Sequence, residues 1–463
     1  MRRLRFPDSK SIAPSQHGSR PRDRWRSLLA LAMGCCGLIA ACGPAPVPAR
    51  NVVLISVDTL AAGHLSTYGY EKLTSPHLDD FASRASLYLR AYATSPWTLP
   101  THASLFTGKY PFEHGARTFR EPATRSALAE HHLTLAEALQ AMGFRTGAFV
   151  SNNAYLTEEF QLNQGFDTYV VARRDGPAMN RLAFDWLQEN TSDPFFLFIN
   201  YMDPHDPYNT LPTEQRPEFL EHVVRGASGK ILAKLEDKIL GGDLSYSSES
   251  VEAVTDMYDL SIANVDESIG AVFDELTALG HFDDTLIVVT ADHGEIFDEH
   301  GLIKHAHDVY EPLIRVPLII KRAGQQSGEV IDGTVDSTDV PHMILSQLPE
   351  EIAEPYLQEF PNAPGNHPII SENYYTHPLF WGWKTWAQRF DRERFALIEW
   401  PYKYIHSSDN SHELYDLEQD PRETHNLLEQ ESATAERLAA ELERFRSERP
   451  RVDRPLEQML TPT

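Results

Sequence analysis

The sequence predicts an α/β fold in which a mostly parallel central sheet is flanked by helices and followed by a small C-terminal antiparallel sheet and a helix. Three observations predict it: continuous apolar runs of strand length, helical patterns between them, and a change to alternating residues near residue 370. The apolar runs lie at residues 51–57, 147–150, 195–200, 286–289 and 316–320. Because strands without internal alternation are buried on both faces, they favour a parallel sheet covered by helices.

The helical patterns between these runs have recognisable ends. Residues 75–76 (Ser-Pro) begin one helix, and residues 134–137 form a capping box whose helix ends at Gly143. Apolar residues spaced three and four apart over residues 254–279 predict a long amphipathic helix. Residues 227–250 are polar and contain several Gly and Ser residues, so we expect a surface insertion there.

The C-terminal part has a different pattern. Residues 395–406 alternate between apolar and polar positions, and residues 413–417 follow after a polar turn. This pattern is typical of a small antiparallel sheet. Residues 429–449 predict a charged helix. We therefore divide the folded chain into a main α/β domain over residues 51–370 and a C-terminal subdomain over residues 371–463.

The composition excludes several classes of protein. The chain has 463 residues, 41 Lys and Arg against 67 Asp and Glu, and a formal net charge of −26. With 41% hydrophobic residues it has ample material for a core, so it is not a wholly disordered chain. The acidity argues against a nucleic-acid partner, because binding phosphates needs a basic face. An anionic substrate would need a local positive charge, which a metal ion can supply.

The N-terminal residues 1–42 have the features of an export signal. Basic residues precede an apolar run over residues 27–41, which is too short to span a bilayer comfortably. The run ends in Cys42 within a sequence that resembles a bacterial lipobox, so we expect a lipoprotein anchored to a membrane through lipidated Cys42. The alternatives are an ordinary cleaved signal and a weak membrane anchor. Residues 43–50 read as a Pro-rich tether.

These features predict where the protein acts. We expect it to be exported and held on the periplasmic side of a bacterial membrane. Gly43 rather than Asp follows the cysteine, which favours the outer membrane. The three cysteines, Cys35, Cys36 and Cys42, all lie in the signal segment. The folded domain therefore has no residue that can serve as a thiol nucleophile or a sulfur ligand.

Two apolar runs end in residues that bind metals. Asp58 follows the 51–57 run, and Asp292 and His293 follow the 286–289 run after two further residues. Ligands in open α/β sheets bind beyond the carboxyl ends of the strands, and two carboxylates with an imidazole suit a divalent metal. The alternative is that each Asp only caps the turn after its strand.

A third segment supplies a hydroxyl. Thr98 precedes Pro100, which marks the start of a helix that ends at Gly108. Free N–H groups at a helix N-terminus favour an anion, and a hydroxyl held there beside a divalent cation can attack an ester. Taken alone, a Thr before a helix is simply an N-cap.

These segments, in this order, resemble the sulfatase family of the alkaline phosphatase superfamily. The motifs run from about residue 51 to residue 430. They are residues 57–60 (Val-Asp-Thr-Leu), 98–108 with their Leu-Phe-Thr-Gly ending, 203–208 (Asp-Pro-His-Asp-Pro-Tyr), 290–295 (Thr-Ala-Asp-His-Gly-Glu), 310–318, and 413–427. The resemblance implies an alkaline-phosphatase-like fold and a metal-dependent ester hydrolase. It also implies that Asp58, Thr98, Asp292 and His293 hold the metal.

The departures from the family pattern bear on the substrate. Sulfatases convert a signature cysteine to formylglycine, but this chain has Thr98 there. Related phosphodiesterases and transferases resemble it in using an unmodified Thr. His102 replaces the signature Arg, and Thr59 replaces the second Asp of the metal-binding pair. The remaining ligands suit Mn²⁺ or Zn²⁺ as well as Ca²⁺.

Four histidines complete the predicted site. In one hypothesis, His205 and His307 bind the substrate and protonate its leaving group, as the matching residues do in single-metal relatives. In the other, His102, His205 and His305 contribute to a second metal or to substrate binding. We expect one divalent ion, with a second as the alternative.

The residues therefore predict an ester hydrolase that acts through a covalent Thr98 intermediate. A phosphate mono- or diester, or a phosphonate ester, is the first substrate class because Thr is a plain alcohol, and a sulfate ester is the second. The substrate would be a small molecule, a glycan or a lipid ester. The alternatives are a transferase that moves a phosphoryl group onto a surface glycan or lipid, and a catalytically inactive binding lipoprotein, which the changes at Thr59 and His102 motivate.

Overall fold

The computed structural model describes residues 47–120, 124–208, 228–243, 245–375, 384, 386–454 and 459–460. Residues 47–463 form one compact unit. The predicted signal segment with Cys42 and the first part of the tether lie outside the described residues. The last tether residues contact the domain, since the Ala49 N–H donates to the Gln347 carbonyl at 2.9 Å and Ala49 is buried.

The described residues form eighteen strands and eleven α-helices. The strands are β1 (Asn51–Val57), β2 (Ser86–Tyr92), β3 (Thr118–Phe119), β4 (Thr124–Ser126), β5 (Arg145–Val150), β6 (Thr168–Val171), β7 (Phe195–Tyr201), β8 (Thr285–Ala291), β9 (Ile296–Phe297), β10 (Ile303–Lys304), β11 (Arg315–Val316), β12 (Leu318–Lys321), β13 (Glu329–Asp336), β14 (Ile369–Tyr374), β15 (Glu393–Glu399), β16 (Tyr402–Ser407), β17 (Glu413–Asp416) and β18 (Met459–Leu460). The helices are α1 (Pro76–Ala82), α2 (Thr98–Thr107), α3 (Pro111–His114), α4 (Leu135–Ala141), α5 (Gly176–Asn190), α6 (Ser228–Leu240), α7 (Ser248–Ala278), α8 (Glu311–Ile314), α9 (Asp339–Leu345), α10 (Glu350–Leu357) and α11 (Ser432–Ser447).

A nine-stranded sheet forms the centre of the fold. Its order is β11-β2-β12-β8-β1-β7-β5-β6, with β13 paired to β2. The neighbours β8, β1, β7, β5 and β6 are all parallel. Every residue of β1, β7 and β8 is buried. The predicted α/β class with a mostly parallel sheet is therefore confirmed, and the continuous apolar runs correspond to its buried strands.

One predicted strand differs from expectation. The 316–320 run is divided at Pro317 into β11 and β12, and both segments pair antiparallel to β2. Proline lacks the N–H that a continuing ladder needs, which explains the break. Because β12 also pairs antiparallel to β8, the central sheet is mixed at this edge.

The helix predictions hold with one correction. Thr134 accepts a hydrogen bond from the Glu137 N–H at 3.1 Å and completes the predicted capping box. Helix α7 is the long amphipathic helix. The expected polar insertion at residues 227–250 is instead occupied largely by α6 and the start of α7. Leu232, Leu235 and Ile239 of α6 are buried, so their apolar face, spaced at helical intervals, outweighed the polar composition.

The C-terminal region forms the predicted antiparallel sheet, in the order β14-β15-β16-β17, with α11 beside it. The expected boundary between residues 370 and 371 falls inside β14, which belongs to this sheet. Buried ion pairs connect the antiparallel sheet to α8 of the main domain. Lys403 Nζ of β16 lies 2.8 Å from Glu423 Oε1 and 3.2 Å from Glu311 Oε1 of α8. No α-helix in the described ranges has the length and apolar character needed to cross a bilayer.

Candidate active site

The ends of β1 and β8 bring the predicted metal ligands together. The two strands are parallel neighbours, and Val57 is paired with Ala291. Asp58 directly follows Val57, and Asp292 directly follows Ala291. The two aspartates therefore lie side by side at the ends of their strands, and His293 follows Asp292. All three residues are fully buried. The buried apolar strands thus fix the positions of three polar side chains that solvent does not reach.

Three atoms of this cluster face one another without hydrogen-bond partners. They are Asp58 Oδ1, Asp292 Oδ2 and His293 Nε2. The imidazole nitrogen lies 3.8 Å from the first and 3.5 Å from the second. Buried polar atoms are almost always hydrogen-bonded, so three orphaned acceptors around one point fit a bound cation. Carboxylate oxygens and an imidazole nitrogen are a suitable donor set for a divalent metal.

The remaining polar atoms of the cluster are held in place. His293 Nδ1 lies 3.0 Å from the Gly294 carbonyl, which assigns the proton to Nδ1 and leaves the Nε2 lone pair for a ligand. Asp292 Oδ1 accepts hydrogen bonds from the backbone N–H groups of Thr59 and His293 at 3.2 and 2.9 Å. The ligand atoms are therefore oriented before a metal binds.

The pKa shifts within the cluster also support the binding of a cation. Burial raises the pKa of Asp58 to about 6, and the neighbouring Asp292 carboxyl adds to this shift. Burial also raises the pKa of Asp292 to about 7 and lowers the pKa of His293 to about 3. Each shift reflects the cost of burying a charge: the carboxyl groups favour their neutral protonated form, and the imidazole favours its neutral unprotonated form. A dication would stabilise the ionised carboxylates, so metal binding and proton release are coupled here.

Thr98 is the first residue of α2 and lies beside this cluster. It is 2% exposed and lines the main cavity, which has a volume of about 250 Å³. Its Oγ1 lies 3.5 Å from Asn152 Nδ2, and it is among the groups that set the pKa of Asp292. Thr98 therefore lies beside the cluster, since the same Asn152 amide contacts both its hydroxyl and Asp58.

Asn152 is a site residue that the sequence analysis did not identify. Its Nδ2 donates to Asp58 Oδ2 at 2.6 Å. Its Oδ1 accepts the N–H groups of Ala154 and Tyr155, both at 3.0 Å, which fixes the orientation of the amide. The only sequence signal is its position two residues after the apolar run that became β5, at the same edge of the sheet as Asp58.

His102 lies behind the cluster rather than in the cavity. It is fully buried, with Nε2 at 3.0 Å from Ser56 Oγ and Nδ1 at 2.9 Å from the Thr98 carbonyl. Burial lowers its pKa to about 4, so it is neutral. Both ring nitrogens are engaged by protein atoms, and this contact supports the backbone of Thr98. Thr59, the other departure from the family pattern, holds a positive φ of 59° and its hydroxyl has no partner.

His205 lines the cavity next to an acidic partner. Its Nδ1 lies 2.8 Å from Asp206 Oδ1, while Lys304 Nζ lies 3.0 Å from Asp206 Oδ2. Burial lowers the pKa of His205, but the hydrogen bond with Asp206 and the charge of Asp58 outweigh it and raise the pKa to about 10. The imidazole is therefore a cation that can hold a proton at Nε2. Lys304, which was not predicted as a site residue, is part of the same cavity wall.

His305 and His307 come from the loop after β10. His305 Nδ1 lies 3.1 Å from Glu295 Oε1, and its ring centroid lies 4.6 Å from that of His293 and 5.0 Å from that of His205. Glu295 is fully buried, and burial raises its pKa to about 7. His307 lies against the rings of Trp386 and Phe390, and burial lowers its pKa to about 3. His205, His305 and His307 thus line the cavity with Thr98, whereas His102 does not, and His307 has the most apolar surroundings.

A second cluster of acids and a histidine has a different character. Asp336, Asp339 and His367 also bring potential ligand atoms within 4.8 Å of one another. Here the facing atoms have partners: Tyr110 OH donates to Asp336 Oδ2 at 2.6 Å, and His367 Nε2 lies 2.8 Å from Asp339 Oδ1. Thr338 donates to Asp336 Oδ1 from both its N–H and its hydroxyl. This cluster is a satisfied hydrogen-bond network, in contrast to the orphaned atoms around Asp58.

Comparisons with known proteins agree with the fold and the site. A family profile described as Sulfatase matches residues 50–350, and one described as N-sulphoglucosamine sulphohydrolase, C-terminal, matches residues 298–448. An ulvan-active sulfatase of Formosa agariphila is 24% identical over 422 residues, covering 82% of this chain and 77% of its own. The multifunctional alkaline phosphatase superfamily protein PehA of Trinickia caryophylli is 25% identical over 477 residues, covering 82% and 91%.

Solved structures have the same architecture. The phosphonate monoester hydrolase of Agrobacterium radiobacter aligns with a TM-score of 0.65 and 19% identity over 87% of this chain and 96% of its own. A protein solved in complex with its substrate D-glucosamine-2-N,6-O-disulfate aligns with a TM-score of 0.63 and 18% identity, covering 87% and 97%. The fold is therefore shared by proteins whose names describe sulfate esters and phosphonate esters.

Proposed function

The chain belongs to the sulfatase family and is an ester hydrolase, and we propose that it cleaves its ester through a covalent bond to the unmodified Thr98 hydroxyl. The observation that carries this proposal is the position of Thr98. Thr98 is the first residue of α2 and lines the cavity together with Asn152. The Asn152 amide contacts both the Thr98 hydroxyl at 3.5 Å and Asp58 of the cluster at 2.6 Å. A nucleophile, a metal-binding cluster and a cavity thus meet at one point.

A divalent cation held by Asp58, Asp292 and His293 would lower the pKa of the Thr98 hydroxyl and neutralise charge on a non-bridging oxygen of the ester. The chain's own residues prepare the rest of the step. Asn152 and the His102 contact with the Thr98 carbonyl hold the nucleophile in place. The first turn of α2 directs free N–H groups toward the same region, which favours the anionic acid group.

Bond making and breaking can be assigned to named atoms. Thr98 Oγ1 loses its proton to solvent and forms a bond to the phosphorus or sulfur atom as the bond to the leaving oxygen breaks. His205, whose Nδ1 is engaged by Asp206, gives its Nε2 proton to that oxygen. Water then attacks the same atom and returns a proton to His205. The bond to Thr98 Oγ1 breaks, that oxygen takes up a proton from solvent, and the free acid leaves. His307 is the second candidate acid, and His305 and His205 remain candidates for a second metal or for substrate contact. His102, predicted for the same role, is excluded from it because Ser56 and the Thr98 carbonyl engage both of its ring nitrogens.

The chemistry of a plain threonyl ester favours phosphorus esters. A hydrated aldehyde has a second hydroxyl that can expel a bound sulfate, whereas a threonyl ester depends on attack by water at the acid centre. The Agrobacterium hydrolase of the same fold is named for a phosphonate monoester, so this fold can accommodate a phosphorus centre. We therefore propose a phosphate mono- or diester, or a phosphonate ester, of a small molecule, glycan or lipid. The metal is Ca²⁺, Mn²⁺ or Zn²⁺.

A second candidate is a sulfuric ester hydrolase. The match to the N-sulphoglucosamine sulphohydrolase C-terminal profile over residues 298–448, together with the sulfatase relatives, favours it. In that case Thr98 would carry the sulfuryl group. The two candidates share the metal cluster and the acid, and they differ only in the acid centre that the cavity accepts.

We also propose that Cys42 is lipidated and holds the enzyme on the periplasmic face of a bacterial membrane, with the outer membrane favoured. The lipobox-like sequence before Cys42 supports this proposal. Growth with a labelled fatty acid should label the wild-type protein and not the Cys42→Ser variant. Equal labelling of both proteins would contradict it.

One assay tests the proposed function. Residues 43–463 would be stripped with a chelator and given four nitrophenyl esters: a phosphate monoester, a phosphate diester, a phenylphosphonate and a sulfate. We expect hydrolysis of a phosphorus ester that returns when Mn²⁺, Zn²⁺ or Ca²⁺ is added. Preferential sulfate cleavage would favour the second candidate. No hydrolysis with bound metal would point to a transferase, and no hydrolysis without metal would point to an inactive binding protein.

A further inference from the structure

A second cavity adjoins the main one. It has a volume of about 310 Å³, and we call it the arginine groove; its walls include Arg173, Arg174, Asp175, Met202, Asp203 and His205. Arg173 and His205 line both cavities, so the two are continuous. Because His205 faces the leaving group in the proposed reaction, the groove extends the site on the leaving-group side.

The two arginines differ from Lys304 of the main cavity in having no carboxylate partner in the described ranges. Lys304 is neutralised by Asp206 at 3.0 Å and by Glu236 at 3.5 Å. Arg173 and Arg174 are exposed, and in the described ranges their guanidinium groups make no hydrogen bond or ion pair. In a chain with a net charge of −26, two neighbouring unpaired arginines at the mouth of a cavity are well suited to attract an anion.

The backbone that carries these arginines is fixed to the catalytic elements. Ser151, next to Asn152, donates to the Arg174 carbonyl at 2.7 Å and accepts from its N–H at 3.4 Å. On the other side, the Gly176 N–H donates to Asp203 Oδ1 at 3.2 Å, two residues before His205. A Cβ at Gly176 would lie 2.2 Å from Ser268 Oγ, so only glycine allows this close approach. The backbone that carries the arginines is therefore held beside the segments that carry Asn152 and His205.

We propose that Arg173 and Arg174 form a subsite for a second anionic group, carried by the leaving-group alcohol of the substrate. This inference rests on the proposed hydrolase function and narrows its substrate to esters with two anionic groups: the acid that is cleaved and another on the alcohol. Arginine binds carboxylate, phosphate and sulfate groups through paired N–H donors, so any of these groups fits.

The test measures binding and cleavage separately. Its probes are carboxynitrophenol and carbamoylnitrophenol, which differ in charge but have similar size, and the esters of both. Calorimetry with the free phenols should show tighter binding of the carboxylated phenol to the wild-type protein. The Arg173→Gln/Arg174→Gln variant should lose about tenfold of that affinity. Arg181→Gln removes an exposed arginine on α5 outside the groove and should leave both affinities unchanged.

Cleavage of the matched esters gives the second readout. The arginine variant should lose about tenfold in kcat/KM for the carboxylated ester and little for the carbamoyl ester. An equal loss for both esters would overturn the proposal, because it would mean that the arginines contact the acid group that is cleaved. Equal binding of the two phenols, or the same loss in Arg181→Gln, would also overturn it while leaving the hydrolase intact.

The reverse failure is also distinguishable. If no ester is cleaved but the carboxylated phenol still binds through the arginines, the proposed hydrolase is wrong and the subsite stands. Competition then identifies the source of the anion. Displacement of the phenol by a sulfated monosaccharide would support an acidic glycan, and displacement by glycerol phosphate would support a lipid headgroup.

Discussion

Arg394 of β15 and Asp308 form a buried ion pair, with Nε 3.1 Å from Oδ1. Asp308 directly follows His307, so the C-terminal sheet is tied to the loop that carries two of the cavity histidines. Arg394 is 1% exposed and also lies 2.9 Å from Glu413 Oε1. Although burial lowers the pKa of Arg394, these two carboxylates raise it above its ordinary value. The C-terminal sheet thus contributes to the geometry of the site without supplying a reacting group.

Removing this buried cation should therefore be costly. Arg394→Met removes the buried cation between Asp308 and Glu413, and we expect a loss of about 3 kcal/mol in the free energy of unfolding. Arg392, which also pairs with Asp308 but is partly exposed, provides the control, and Arg392→Met should cost less than about 1 kcal/mol. Urea denaturation measures both. Equal losses of unfolding free energy in the two variants would show that the buried Arg394 contributes no more stability than the partly exposed Arg392.

Asn152 should matter for turnover rather than for folding. Asn152→Ala removes the hydrogen bond to Asp58 and the contact with Thr98, and we expect kcat to fall about 10- to 100-fold. Asn152→Asp should be worse, because it places a carboxylate against Asp58. Asn153 is the exposed neighbour, and Asn153→Ala should retain wild-type kcat. A normal rate in Asn152→Ala would mean that the amide does not orient the site.

Metal content should separate the two acidic clusters. Asp292→Asn removes a ligand whose Oδ2 has no protein partner, so the purified variant should lose most of its divalent metal. Asp339→Asn changes the cluster that is already hydrogen-bonded, and it should retain the wild-type metal content. Elemental analysis of both purified proteins checks this. If Asp339→Asn lost its metal while Asp292→Asn kept it, the metal would bind at the cluster that contains Asp339, which would contradict our account.

Chelation should also affect the stability of the wild-type protein. Removing the cation leaves the carboxyl groups of Asp58 and Asp292 buried beside each other. They must then either take up a proton or repel each other as anions. We expect a Tm lower by several degrees after chelation, restored by the metal that restores activity. An unchanged Tm with full loss of activity would indicate that the cation binds too weakly to be resident.

Stability should depend on pH through His367. Burial lowers its pKa, but the hydrogen bond to Asp339 and the charge of Asp336 outweigh it and raise the pKa to about 9. The folded protein therefore binds this proton more tightly than the unfolded chain. The resulting stability, about 3 kcal/mol, is fully present below about pH 6.5 and is lost as the pH rises through about 9.

Unfolding measured between pH 6 and 10 tests this dependence, over a range chosen to span about 6.5 and 9. The His367→Gln variant should show a smaller decline across this range. His131, an exposed histidine, provides the control, and His131→Gln should follow the wild-type curve. The same slope in all three proteins would rule out His367 as the cause.

The sequence predicted the metal cluster because strand patterns are local. Asp58 and Asp292 follow continuous apolar runs, and parallel neighbours end at the same edge of a sheet. Asn152 follows a shorter run, and nothing local shows that β5 lies beside β7 with its end near Asp58. Its role depends on the order of strands, which the residues around it do not determine.

Loop geometry and tertiary packing explain the other differences. Lys304 and Ala306 have positive φ values of 69° and 66°, so the spacing from His293 does not translate into a position in the cavity. His102 stands where the family has an arginine, yet its two hydrogen bonds place it behind Thr98. Helix α6 was not predicted because charged residues lie between Leu232, Leu235 and Ile239, which are among its buried side chains.

The central claim is that Thr98 itself bonds to the acid group of the substrate. Rapid quenching during turnover, followed by peptide mass spectrometry, tests it most directly. We predict that the peptide containing Thr98 gains the mass of one transferred acid group, and that the isosteric Thr98→Val variant gains none and turns over on the order of 10⁴-fold more slowly. A group attached to another residue, or wild-type turnover in Thr98→Val, would contradict the account.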